Sequence, residues 1–109
     1  MTVPGTSGNP LYTITSTSAN AGTGTHASVA SSASNVTLLA ANSSRKGFSI
    51  FNDSTQVLYV KLGATATTSS YAFQVAAGGY YENGPVVYSG NVDGIWASAN
   101  GNARVVELT

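Results

Sequence analysis

Arg45-Lys46-Gly47-Phe48-Ser49-Ile50-Phe51-Asn52-Asp53-Ser54-Thr55-Gln56-Val57-Leu58-Tyr59-Val60-Lys61-Leu62-Gly63 decides the fold class. Two apolar runs, Phe48 to Phe51 and Val57 to Leu62, flank a cluster of turn formers, Asn52 to Gln56. Short β-rich runs joined by a few Asn, Asp and Ser residues predict a β-hairpin. Side chains alternate across a strand, so Phe48 and Ile50 share one face, as do Leu58, Val60 and Leu62. These five form the expected core seed. Phe51 and Tyr59 fall on the opposite faces and are candidates for a second buried surface.

Working outward, the same grammar repeats. Val36 to Ala40 reads as a strand, and Ala41 to Ser44 as a turn. After Gly63 to Ser70, Tyr71, Phe73 and Val75 alternate as one face of a strand. Tyr80 to Glu82 and Val86 to Tyr88 are short strands between Gly, Asn and Pro. Gly94 to Ala99 and Ala103 to Thr109 flank Asn100-Gly101, a strong hairpin signal. No window shows helical periodicity with good helix formers. The expectation is an all-β domain over residues 35–109, a small antiparallel β-sandwich or barrel. For one of Ile95 and Trp96, core packing is expected.

Residues 1–34 differ in composition. Leu11 to Thr15 could make a short strand, but Ser16 to Ser34 contains one large aliphatic residue, Val29. Such a segment buries too little apolar surface to offset the entropy of ordering it. It reads as an extended, low-complexity N-terminal arm, disordered in isolation or ordered against a neighbouring subunit.

Composition narrows the function. The charged fraction is 7% and the formal net charge is zero, against about a quarter charged in ordinary soluble domains. Phosphate-backbone recognition needs several cations, so no nucleic-acid partner is expected. No apolar run reaches the length of a membrane span, and the first ten residues lack the features of a secretory signal. With no cysteine and a globular part of about 75 residues, oligomerisation is the expected source of added stability.

Chemistry-bearing residues are sparse. His26, the single imidazole, lies in the arm. Asp53 and Asp93 sit in turn-like contexts where Asp caps backbone, and Glu82 and Glu107 have no readable partner. No enzymatic activity, metal or other cofactor is expected. Neither Asn52-Asp53-Ser54 nor Asn91-Val92-Asp93 has the acidic density of a calcium loop, and the Asn-x-Ser/Thr matches are compositional. The candidate surface is Phe51, Tyr59, Tyr80 and Tyr81 together with Arg45, Lys46 and Lys61. Exposed tyrosines stack on sugars or pack at subunit interfaces, and the interface reading is preferred. The basic residues read as edge charges or as partners for acidic groups on another protein.

Leu39-Ala40-Ala41-Asn42, Arg45-Lys46-Gly47, Ile50 to Ser54, Leu58 to Gly63, Ala76 to Glu82, Gly94 to Ala97 and Ala103 to Thr109 together resemble small structural proteins of tailed bacteriophages. The resemblance spans about two-thirds of the chain, Leu39 to Thr109, and leaves out the arm. It implies a non-enzymatic virion component, made in the host cytoplasm and carried on the particle. A capsid decoration (cement) protein is favoured, binding the major capsid protein as a homo-oligomer, with a trimer expected. A short chain with its own Met1 favours that role over a tail-fibre or tail-associated module. A host-glycan-binding module is the remaining alternative, resting on the tyrosines.

Overall fold

A computed structural model describes residues 20–109. It contains eight strands: β1 (Gly24–Ala30), β2 (Val36–Leu39), β3 (Gly47–Asp53), β4 (Leu58–Leu62), β5 (Phe73–Val75), β6 (Tyr80–Glu82), β7 (Val92–Trp96) and β8 (Asn102–Leu108). They form two four-stranded antiparallel sheets, ordered β1-β8-β3-β6 and β2-β7-β4-β5. The chain is an all-β sandwich.

Strand pairing follows a simple rule. β1 pairs with β8, β2 with β7, β3 with β6 and β4 with β5. The chain therefore behaves as one long antiparallel ribbon whose closed end is the β4–β5 connection. Wrapping the ribbon around a common core brings β8 beside β3 and β7 beside β4. This is the jelly-roll arrangement, eight strands in two facing sheets.

Wrapping explains two departures from the sequence expectation. β3 and β4 are not a hairpin: they lie in opposite sheets, and residues 54–57 form an arch between them. β7 and β8, on either side of Asn100-Gly101, are likewise split between sheets. Alternating apolar rows are compatible with both arrangements. In a hairpin the two rows share one face of one sheet; in an arch they meet across the core. The latter occurs here, with Phe48 and Ile50 of β3 facing Leu58 and Val60 of β4 within a single cluster. Ile50, Leu58, Val60 and Val92 are fully buried, and Trp96 is nearly so. Of the pair weighed in the sequence, Trp96 points inward and Ile95 is half-buried.

Other corrections are local. Leu62, expected in the core, is exposed at the end of β4, where the chain leaves the sheet at Gly63. Tyr71 precedes β5 and lies against Tyr59 rather than beside Phe73 and Val75. Val86 to Tyr88 is not a strand, and Val86 is among the most exposed apolar residues. Asp93 belongs to β7, not to a turn; it is buried and bonded by Thr37 Oγ1 and Asn91 Nδ2.

The boundary between arm and domain also moves. Gly24–Ala30, assigned to the arm, is an edge strand in register with all of β8. Val29 alone packs against the core and burial elsewhere is slight, so backbone pairing is the main hold on the strand. Residues 1–19, including the strand expected at Leu11 to Thr15, lie outside the described residues.

Gly101 shows how tightly one sheet crossing is built. Its φ of +77° lies in the left-handed region, and a Cβ there would collide with the Asp53 carbonyl oxygen and Ser54. Left-handed backbone alone costs a non-glycine residue about 1–2 kcal/mol. Gly101→Ala should therefore lower stability by about 2 kcal/mol or more, measured by urea unfolding. A loss under about 0.5 kcal/mol would mean that the crossing relaxes freely.

Candidate interaction surface

The two outward faces of the sandwich carry the candidate residues. Phe51 sits on β3 opposite Tyr80 of β6 on one side and Arg104 of β8 on the other, with Ser28 of β1 completing the row. The adjacent row runs Glu82, Ser49, Val106, His26. Phe51 is 38% and Tyr80 61% exposed, the latter large for an aromatic side chain on a strand. Arg104 and Asp53 form an exposed ion pair at 3.0 Å beside them. An open groove of about 370 Å³ runs along the β1–β8 pair, lined by His26, Ala27, Ser28, Arg104, Val105 and Val106.

On the other sheet, Tyr59 lies between Gln74 and Ile95. Its ring meets Tyr71 edge-on at 5.0 Å, and Gln74 Nε2 donates to Tyr71 Oη at 2.9 Å. This second aromatic group is partly satisfied within the chain: Tyr59 is half-buried, and Tyr71 is 38% exposed.

Three proposed surface residues are turned to internal tasks. Tyr81 pairs with Ile50, faces inward and stacks on Phe73 of the opposite sheet at 4.1 Å. Adjacent residues on a strand must face opposite ways, so the Tyr80-Tyr81 pair divides into one outward and one inward ring. Arg45 is buried, its guanidinium consumed by Glu107 (Nε to Oε2, 2.8 Å) and by the carbonyl oxygens of Tyr88, Gly90 and Ala40. It is neither an edge charge nor a group offered to another protein. Lys61 donates to Ser70 Oγ at 2.8 Å on the loop following its own strand. Lys46 is exposed and donates to the Asn20 carbonyl, tying the start of the described chain to β3. The candidate set thus separates into Phe51 and Tyr80 on one face, Tyr59 on the other, exposed Lys46 ahead of β3, and Tyr81, Arg45 and Lys61 engaged within the chain.

Each buried or half-buried carboxylate also has a protein partner: Glu107 takes Arg45 and Asn42, and Asp93 takes Thr37 and Asn91. Across the strands, His26 faces Val106. Among the described residues, no three His, Asp or Glu side chains gather where they could hold a metal ion. Beside Glu82 and the Arg104–Asp53 pair, the outward faces present ring surface and neutral polar groups.

Sequence reasoning missed Asn52. Read as a turn former, it is fully buried at the end of β3. Its Nδ2 donates to the carbonyls of Gln56, Val75 and Ala76, while its Oδ1 accepts from Trp96 Nε1 and Ser54 Oγ. A polar residue on the inward-facing parity of an apolar strand, in phase with Phe48 and Ile50, was the available signal.

No protein-family model, characterised protein or solved structure matches the chain.

Proposed function

We propose that the protein is a structural component of a tailed-bacteriophage virion, a capsid decoration protein that binds the outer shell as an oligomer and stabilises it. The observation that carries this reading is the jelly-roll strand order combined with an outward aromatic row on a nearly uncharged domain. By analogy of architecture, jelly rolls recur in capsid and lectin domains. The resemblance of residues 39–109 to small phage structural proteins points the same way. Phe51 and Tyr80 have the character of interface anchors, large rings held on rigid strands. Adhesion to the major capsid protein through rings, hydroxyls and amides suits a surface with few charges, and a trimer is the expected assembly.

Phe51→Ala with Tyr80→Ala should leave a folded domain, because both side chains face outward, and should reduce occupancy on purified capsids by tenfold or more. Quantitative imaging of particles checks this. Full occupancy in the double variant would remove Phe51 and Tyr80 as the anchors, and copies confined to the tail would overturn the decoration reading.

A second reading, a tail-associated or glycan-binding module, draws on the exposure of Tyr80. It requires retention on host-surface polysaccharide that Tyr80→Ala abolishes while Tyr59→Ala, on the opposite face, leaves it intact. Tyr81 has no place in that mechanism, since its ring is packed against Phe73.

A further inference from the structure

The four sheet edges are not alike. β5 and β6 are three residues long, and β2 has four with an irregular register. Short or bulged edge strands are the usual means by which a sheet avoids pairing with other chains. β1 is different: seven residues in unbroken register, with neither Pro nor any Lys, Arg, Asp or Glu, and almost entirely exposed.

The outer edge of β1 can be read residue by residue. At one end Thr109 N–H donates to the Thr23 carbonyl, and at the other Ser31 N–H donates to the Gly101 carbonyl. Odd-numbered residues therefore turn their backbone groups towards β8. Gly24, His26, Ser28 and Ala30 turn theirs to the open edge, which no strand covers among the described residues.

We infer that this edge pairs with β1 of a second copy of the chain, antiparallel across a two-fold axis through Ala27. In that register Gly24 meets Ala30, His26 meets Ser28, and every outward N–H finds an outward C=O. Ala27 faces its own copy in the close, non-hydrogen-bonded position, where a methyl group fits and a bulky side chain would not. No charged residue opposes its like. The contact is self-complementary and closed, joining two four-stranded sheets into one of eight whose remaining edges are the short β6 strands. The inference goes beyond the virion reading and does not depend on it. If three-fold contacts exist on other faces, the β1 contact links trimers.

The absence of cysteine makes this directly testable in the full chain. In the proposed register two Ala27→Cys residues have Cα atoms about 4.5 Å apart, within the span of a disulfide. Two Ala30→Cys residues lie about 20 Å apart. Mild oxidation should convert Ala27→Cys into disulfide-linked dimers at least tenfold faster than Ala30→Cys, read on non-reducing gels. Adding Ser28→Pro removes an outward donor without touching the β8 ladder and should slow cross-linking of Ala27→Cys by a similar factor. Equal rates for the two single-cysteine chains would overturn the proposal. So would no cross-linking of Ala27→Cys, the result if residues 1–19 of the same chain occupy the edge. Cross-linking that Ser28→Pro leaves unchanged would also overturn it.

Discussion

Arg45→Ala should cost about 3–5 kcal/mol of folding stability, the range for removing one member of a buried ion pair. The Arg45 side chain is fully inaccessible, and its Glu107 partner is 18% exposed. The guanidinium spends its donors on three segments: β8 through Glu107, the end of β2 through Ala40, and the β6–β7 connection through Tyr88 and Gly90. It also lies 5.5 Å over the Phe48 ring, which roofs it from the core side. Deletion strands three carbonyl oxygens and leaves Glu107 with Asn42 alone, and each group left unpaired in a low-dielectric site costs about 1–3 kcal/mol. Domains of this size lose about 4–8 °C per kcal/mol, so the melting temperature should fall by about 12–40 °C. Arg45→Lys should recover only part of the loss, because a compact ammonium cannot reproduce the planar fork. Glu107→Gln should be milder, since Arg45 keeps its three carbonyl partners. Thermal and urea unfolding followed by circular dichroism check the series. A loss below about 1 kcal/mol for Arg45→Ala would mean that the pair behaves as a surface ion pair.

Arg45 also marks where a sequence stops being readable. In a chain with so few charges, an Arg-Lys pair before a strand looks like a solvated turn, and Lys46 behaves that way. Nothing in the local pattern announces that Glu107, sixty-two positions away, will meet Arg45. The strands themselves were legible because period-two alternation and Gly, Asn and Ser punctuation are local signals. β6 falls on the expected residues, and β3, β4, β7 and β8 shift by no more than a few. Pairing was not legible: an arch and a hairpin need the same apolar rows and similar turn residues, and only packing against the second sheet separates them. β1 was hidden for the opposite reason. Alternation reports side-chain burial, and Gly24–Ala30 is ordered chiefly by backbone bonds to β8, with Val29 its one residue against the core. At the candidate surface, adjacent Tyr80 and Tyr81 announced that one ring faces out. Which one follows from the register that sets Tyr80 opposite Phe51 and Tyr81 opposite Ile50.

The second large effect is expected at Asn52, the polar centre of the opposite end of the core. Asn52→Leu keeps the branched four-heavy-atom shape and opens no cavity, so the change tests the loss of hydrogen bonding. It should still destabilise by about 3 kcal/mol or more, because buried partners left unpaired cost about 1–3 kcal/mol each. Those partners come from the opposite sheet and from the arch that leads to it: Trp96 Nε1 on β7 at 3.1 Å, the Val75 carbonyl on β5 at 2.9 Å and the Gln56 carbonyl at 2.7 Å. The Asn52 backbone is used as well, its N–H donating to Gly79 and its carbonyl accepting from Gly78 in the turn before β6. One side chain thus holds the arch in the conformation that sends β4 to the opposite sheet, and a leucine there removes that instruction. Asn52→Asp should be at least as damaging: it exchanges the donating amide for a carboxylate oxygen facing three carbonyls, an uncompensated buried charge. Trp96 is the only tryptophan, so its emission follows the site directly. Unfolding monitored by that fluorescence should move to lower urea in both variants. An Asn52→Leu protein that unfolds at the wild-type midpoint would show that apolar packing alone, without the amide, suffices to place β4 across the core.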